Sequence, residues 1–266
     1  MRKEYLSLLR SYLSIDLKRL VEYRADFTVM LFSSVIVLAV NFIFWQAVFA
    51  QARVINGWTF GDIILLEGFF ALTMTVVGLF GEGMAHLDEL VIQGWLDTYL
   101  VKPISPLITI MLTNIALFEL QGLAVSIVYF MVAASLGTSI TIGGFLAGMA
   151  ISMMGALVLI MIMSCIAMLV FWFGRTSALH VLFSIVYETG GGTPGTIYPG
   201  SVQLAFMVGV PILFMQTMPA LAALGRLDFG GLVGILAMEA VVALAWFAIA
   251  WFAWRKGLRR YESYGG

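Results

Sequence analysis

Charge is what this sequence has least of. Only 11% of its 266 residues are charged while 62% are hydrophobic, and the mean hydropathy is +1.02, more than a soluble core of this size requires. That shortage excludes a self-sufficient soluble enzyme and predicts an all-α membrane protein. Cysteine is nearly absent: Cys165 stands alone in an apolar run, so the chain can build neither a disulfide framework nor a cysteine-based zinc site. The histidines are His86 and His180, too few and too far apart for a paired-His metal pattern, and no metal ligands are expected. The patterns GxxxxGK[ST], HExxH and GxSxG are missing, so no ATPase or hydrolase site and no catalytic residue is expected. The glycines of 190–195 have neither the lysine nor the preceding strand of a phosphate cradle and read as a helix break. A net charge of −1 gives no field that would attract nucleic acid. The polar start lacks a signal-peptide core, and no cleavage is expected.

What the chain does have is long apolar runs. A bilayer core about 30 Å thick takes about 20 residues at helical rise, and runs of that length occupy 27–50, 62–84, 107–136, 143–173 and 231–254. Between Arg175 and Asp228 the pattern is uneven. Pro194, Pro199, Pro211, Pro219 and the run Gly190, Gly191, Gly192 interrupt any continuous helix there. Parity of charge allows one net crossing in this stretch. Either 177–198 crosses and 200–224 forms a re-entrant hairpin on the outer side, or 200–224 is the crossing. In both cases broken backbone at membrane depth has to be buried in protein or line a cavity.

Orientation follows from the fourteen Lys and Arg residues. Arg2, Lys3, Arg10, Lys18, Arg19 and Arg24 precede the first span, Lys102 and Arg175 fall in later loops, and Arg255, Lys256, Arg259 and Arg260 follow the last. Only Arg53 and Arg226 fall opposite. Counting positive residues inside predicts six transmembrane helices, with both termini, the 85–106 loop and the 174–177 turn cytoplasmic. Residues 1–26 are expected as an amphipathic interfacial helix, because Leu6, Leu9, Leu13, Leu17 and Leu20 recur at helical spacing with Arg10, Lys18 and Arg19 elsewhere on the wheel. The transmembrane domain then covers 27–254, with its broken outer segment near 190–228, and 255–266 is a cytoplasmic tail.

The cytoplasmic stretch HLDELVIQGWLDTYLVKPISPL at 86–107 reads as a helix ended by Pro103 and Pro106. Leu87, Leu90, Val91, Trp95 and Leu96 form one apolar stripe, with Asp88, Glu89, Asp97 and Lys102 offering charge beside it. Three acidic residues suit anionic headgroups poorly, so a soluble protein is the expected partner. Within the spans, an ionisable group costs roughly 2.5 kcal/mol or more, which makes polar residues the candidates for a translocation path. They are Asn41, Glu67, Asn114, Glu119, Gln121 and Glu239. Holding helices together by hydrogen bonds is the alternative use of each. Gly144, Gly148 and Ser152 allow close helix approach, within one chain or between two.

In their order, an amphipathic start running into the first span, VIQGWLDTYLVKPIS at 91–105, IYP and VPILFMQTMPA within 197–220, and the terminal GLRRYESYGG resemble the permease subunits of ABC-2 type exporters over the whole chain. The resemblance is in particular to a branch of about this length. It implies a bacterial inner-membrane, multi-pass permease that pairs with a sibling or identical permease subunit. The pair would sit in the lipid bilayer on two ABC ATPase subunits, which hold ATP and Mg. No cofactor is implied for this chain. Residues 90–100 match the family's coupling helix, which makes Asp88, Glu89, Leu90, Val91, Trp95, Leu96, Asp97 and Leu100 the implied ATPase-docking set. The broken region with Pro199, Pro211 and Pro219 matches the outer gate and part of the dimer seam. ATP-driven closure of the motor would rock the spans by alternating access and export a hydrophobic, amphipathic or drug-like molecule.

Two other classes compete. An ion-coupled secondary transporter would carry a proton on Glu119 and would be expected to show internal symmetry, which the sequence lacks. A membrane-embedded lipid enzyme would use Glu67, Glu119 or Glu239 as acid or base, without any clustered nucleophile or metal motif to support it.

Overall fold

The computed structural model describes Ser14, Lys18, Glu22 and residues 24–102, 105–113 and 115–261. Most of the expected amphipathic helix at 1–26, together with Asn114 and the tail from 262 onward, lies outside the described residues. Among those described, every regular element is helical.

The first long helix, α1, covers Arg24–Phe49. A two-residue hairpin follows, bridging Ile55 and Trp58 around Asn56 and Gly57, both at positive φ, the geometry that Asn-Gly adopts most readily. Then α2 runs over Phe60–Ala85, opened by a capping box in which Thr59 and Asp62 satisfy each other's backbone amides. It leads into α3 at Leu87–Ile92, so the apolar rod extends over Phe60–Ile92. Gly94, at φ +74°, turns the chain into the short α4 at Asp97–Leu100. The expected single helix at 86–102 is therefore two pieces, because the residue after Gln93 takes a left-handed conformation that ends the first.

The third expected span, 107–136, is also broken. It consists of α5 at Pro106–Thr113, a 3-10 turn at Leu117–Leu120 and α6 at Gln121–Ser135. At the break Ala116 N–H leaves its own helix and donates to the Leu79 carbonyl of α2. The approach is close because α2 carries glycine where this segment crosses: a Cβ on Gly83 would collide with the Ile110 carbonyl oxygen, and one on Gly78 with the Glu119 side chain.

Next come α7 at Ile142–Met168, α8 at Val170–Phe173 and α9 at Ser177–Gly190. After a 3-10 turn at Gly195–Ile197, α10 covers Gly200–Val208. A π-helical turn at Leu213–Thr217 runs into α11 at Met218–Ala223, and α12 covers Phe229–Arg260. Among the described residues five helices are long and apolar enough to cross a membrane, and the pair Gly200–Val208 and Leu213–Ala223, bent by 87°, is a sixth candidate if it forms one span. At fourteen residues α9 falls short of a span by itself.

The centre of the bundle is α2, which packs along α6, α7 and the Leu213–Ala223 segment; α12 covers another side of α7. By contrast α1 lies on the outside, and Trp45 is its one buried residue. The ends of the bundle are tied differently. At one end Met84, Leu87, Leu96, Ile110, Met168, Phe171 and Trp254 form a common apolar cluster, next to Lys102, Arg175 and the basic residues of α12. At the other, Arg226 pairs with Asp62 and its guanidinium lies over the Trp58 ring. The two groups of basic residues thus sit at opposite ends.

The path of 177–224 follows from its anchors. Asp88 Oδ2 accepts from the amides of Thr176 at 3.2 Å and Ser177 at 3.1 Å, while Trp58 Nε1 donates to Thr196 Oγ1 at 2.8 Å. Residues 177–196 therefore run the length of the α2–α3 rod, about 42 Å from Asp88 to Phe60 at helical rise. Then α10 turns back, and the Val208 carbonyl accepts from Trp246 Nε1 at 2.8 Å midway along α12. The return leg climbs antiparallel to α7, with Phe214 against Gly155, Pro219 against Gly148 and Ala222 against Gly144. This is a hairpin whose two legs start and finish near the Trp58 and Asp62 end of the bundle. The same contacts assign the small residues of α7 to packing within the chain.

Candidate functional site

Three regions gather the polar residues. The first is a cleft between α1, α2 and α6, with a cavity of about 450 Å³. Asn41, Glu67, Glu119 and Gln121, widely spaced in sequence, all line it. Glu67, on the inner face of α2, accepts from Trp45 Nε1 at 3.0 Å, and Asn41 lies in hydrogen-bonding reach of the same carboxylate. Glu119 rests on Gly78, with Glu82 in electrostatic reach toward the basic end. Along α2, Glu67 and Gly78 are about 16 Å apart, so the carboxylates occupy different depths. Glu239 does not join them. It lies fully buried on α12, both carboxylate oxygens without a hydrogen-bond partner. Asn114 lies outside the described residues.

The second region is the hairpin and the glycine-rich strap it holds. Proline has no N–H, so Pro219 gives none to the Met215 carbonyl four residues earlier. Thr73 of α2 makes up the loss, donating to Met215 O at 2.9 Å while also bonding Ser152 of α7 at 2.6 Å. Gln216, fully buried, accepts from Gly192 N–H at 2.7 Å and donates to the carbonyls of Gly190 and Thr193 at 3.2 and 3.0 Å. Thr217 accepts from Gly195 N–H at 2.9 Å. The irregular backbone of 190–195 is thus stapled to a π-helical turn, a form that occurs disproportionately at functional positions. Pro199 opens α10, Pro211 sits at the hairpin tip and Pro219 lies on the return leg against α7. Gln216, Thr217 and Thr73 were not among the expected site residues. A Gln-Thr pair shortly before a proline, inside an apolar run, was the available signal for Gln216 and Thr217, and Thr73 carried none.

The third region is the loop at the basic end, where the structure divides the expected docking set. Leu90, Val91 and Leu96 are buried in the bundle's own core. Asp88 is buried as well, spent on the amides that open α9. The correction has a simple cause: the rod of α2 and α3 is continuous, so the stripe that faces inward along α2 still faces inward along α3. What reaches solvent is Glu89, Ile92, Trp95, Leu100 and Val101, with Asp97 half-buried. Asp97 faces Tyr261 at the end of α12. Burial, and then this carboxylate, raises the Tyr261 phenol above its usual value.

Among the described residues, no group of His, Cys, Asp and Glu is arranged to hold a metal ion. A family model described as ABC-2 family transporter protein matches residues 35–265. No curated protein and no solved structure matches the chain.

Proposed function

The chain belongs to the ABC-2 family of transporter proteins, and from that membership we propose that it is the transmembrane half of an ATP-driven exporter for a hydrophobic, amphipathic or drug-like molecule. It is a multi-pass membrane permease without ATPase activity of its own, and permeases of this family generally work with ABC ATPases.

The observation that carries the proposal is the two-faced loop at 86–102. Its inner face is locked into the bundle through Leu87, Leu90 and Leu96, and through the Asp88 bonds to α9. Its outer face offers Glu89, Ile92, Trp95, Leu100 and Val101. A motor that grips the outer face moves α2, α9 and the end of α12 together, because all three meet at this loop. Coupling is mechanical and needs no reacting group. In this reading the basic end is cytoplasmic, the membrane is a bacterial inner membrane, and two permease chains sit on two ATPase subunits that hold ATP and Mg. The 200–224 hairpin is re-entrant from the outer side and forms the outer gate, with Pro211 at its tip. The cleft lined by Glu67 and Glu119 is part of the path.

The test is purification of the tagged chain from its native membranes. A soluble ATPase with a phosphate-binding loop is expected to co-purify, its hydrolysis rising when the chain is present. Transport by the purified chain on a proton gradient, with no ATPase attached, would overturn the proposal in favour of an ion-coupled carrier.

A further inference from the structure

We propose that the cavity between α1, α2 and α6 is a binding site for lipophilic amines in their ammonium form. Its volume of about 450 Å³ suits a drug-sized molecule, and Val29, Val37, Leu38, Phe70, Met74 and Val125 give it apolar walls. The charge inside is of one sign. Glu67 and Glu119 line the cavity, and among the described residues no lysine or arginine does and neither carboxylate has a salt-bridge partner.

The polar atoms left over are also of one kind. Asn41 Oδ1 and Gln121 Oε1 are enclosed and have no hydrogen-bond partner, and both are acceptors. Asn41 stands beside Glu67, and Gln121 is two residues from Glu119. The cavity that holds both carboxylates therefore holds two idle amide oxygens as well. An anionic ligand would meet two carboxylates here, and a hydrocarbon would leave the idle acceptors unsolvated. An inorganic cation would leave the apolar walls unused. An ammonium brings both charge and N–H donors, while its hydrophobic body fills the space between the walls. The separation of the carboxylates along α2, about 16 Å, gives the cation two stations rather than one. This names a substrate class for the permease and rests on the transport reading only in treating the bound amine as cargo.

The test uses the full-length chain in lipid nanodiscs, with its partner subunits retained and ATP absent. It is titrated with a dansyl-labelled alkylamine and with the N-acetylated, neutral form of the same compound, empty nanodiscs serving as the baseline. The amine is expected to bind about tenfold or more tightly than its neutral form. In the double variant Glu67→Gln, Glu119→Gln that preference disappears while the affinity for the neutral form stays. Equal binding of the two compounds to the wild type overturns the proposal, as does a preference that survives in the double variant. Should the double variant not fold, the wild-type comparison decides alone. A chain that binds the amine but carries no ATPase breaks the transport reading and leaves the site intact. A chain that carries the ATPase but ignores the charge of the amine breaks only the site.

Discussion

Two polar regions lie side by side on α2, and they are finished differently. On the side facing α7 and the hairpin, Thr73, Ser152, Gln216 and Thr217 bond one another or irregular backbone. On the side facing α1 and α6, Asn41 and Gln121 keep idle oxygens and the two carboxylates have no cation. The first arrangement holds broken helices in place; the second leaves capacity for something that arrives. Residue type does not separate them, since an amide occurs in both. What differs is whether the groove was closed by a neighbouring backbone or left open beside an outlying helix.

Substitutions across the two regions should separate them. Gln216→Leu leaves Gly192 N–H and the Thr193 carbonyl without partners and the Gly190 carbonyl with only the Thr193 hydroxyl at 3.3 Å, and a loss on the order of 3 kcal/mol is expected in reversible unfolding in detergent. Gly148→Val forces a side chain against the Pro219 carbonyl and the Phe69 ring, costing about 2 kcal/mol in the same assay. Thr73→Val removes the donor to Met215 O and should cost about 1 kcal/mol. Gln121→Leu, on the open side, should change stability by less than about 0.5 kcal/mol, since its side-chain oxygen bonds nothing. If Gln121→Leu unfolds the protein as readily as Gln216→Leu, the two regions are alike and the distinction fails.

Much of this was legible in the sequence. Apolar run length located the helices at 24–49, 60–85 and 142–173 to within a few residues, because hydrocarbon thickness sets that length whatever the packing. The expected run at 107–136, by contrast, begins ten residues before the 117–135 span, and the last helix runs six residues past 254. The prolines and glycines of 190–219 marked a break for equally local reasons. The break in the third span carried no such mark. It arises where Gly78 and Gly83 of another helix admit the chain closely, a contact between segments that periodicity within one segment cannot encode. The convergence of Asn41, Glu67, Glu119 and Gln121 was hidden for the same reason: the residues were individually visible, but their common cavity depends on how three helices pack. At 86–102 the expected single stripe is split: Leu87, Leu90 and Val91 face inward because they continue the α2 rod, and Gly94 turns the chain before Trp95 and Leu96. Leu96 went inward and Trp95 outward, one residue apart.

That last pair gives the most direct test of the account. Trp95→Asp changes a residue more than half exposed, at 55%, whereas Leu96 is fully buried. In the permease purified with its ATPase, Trp95→Asp is expected to leave the unfolding temperature unchanged and release the ATPase. A Trp95→Asp chain that keeps the ATPase bound and stimulated at the wild-type level would contradict the claim that this outer face is where the motor grips.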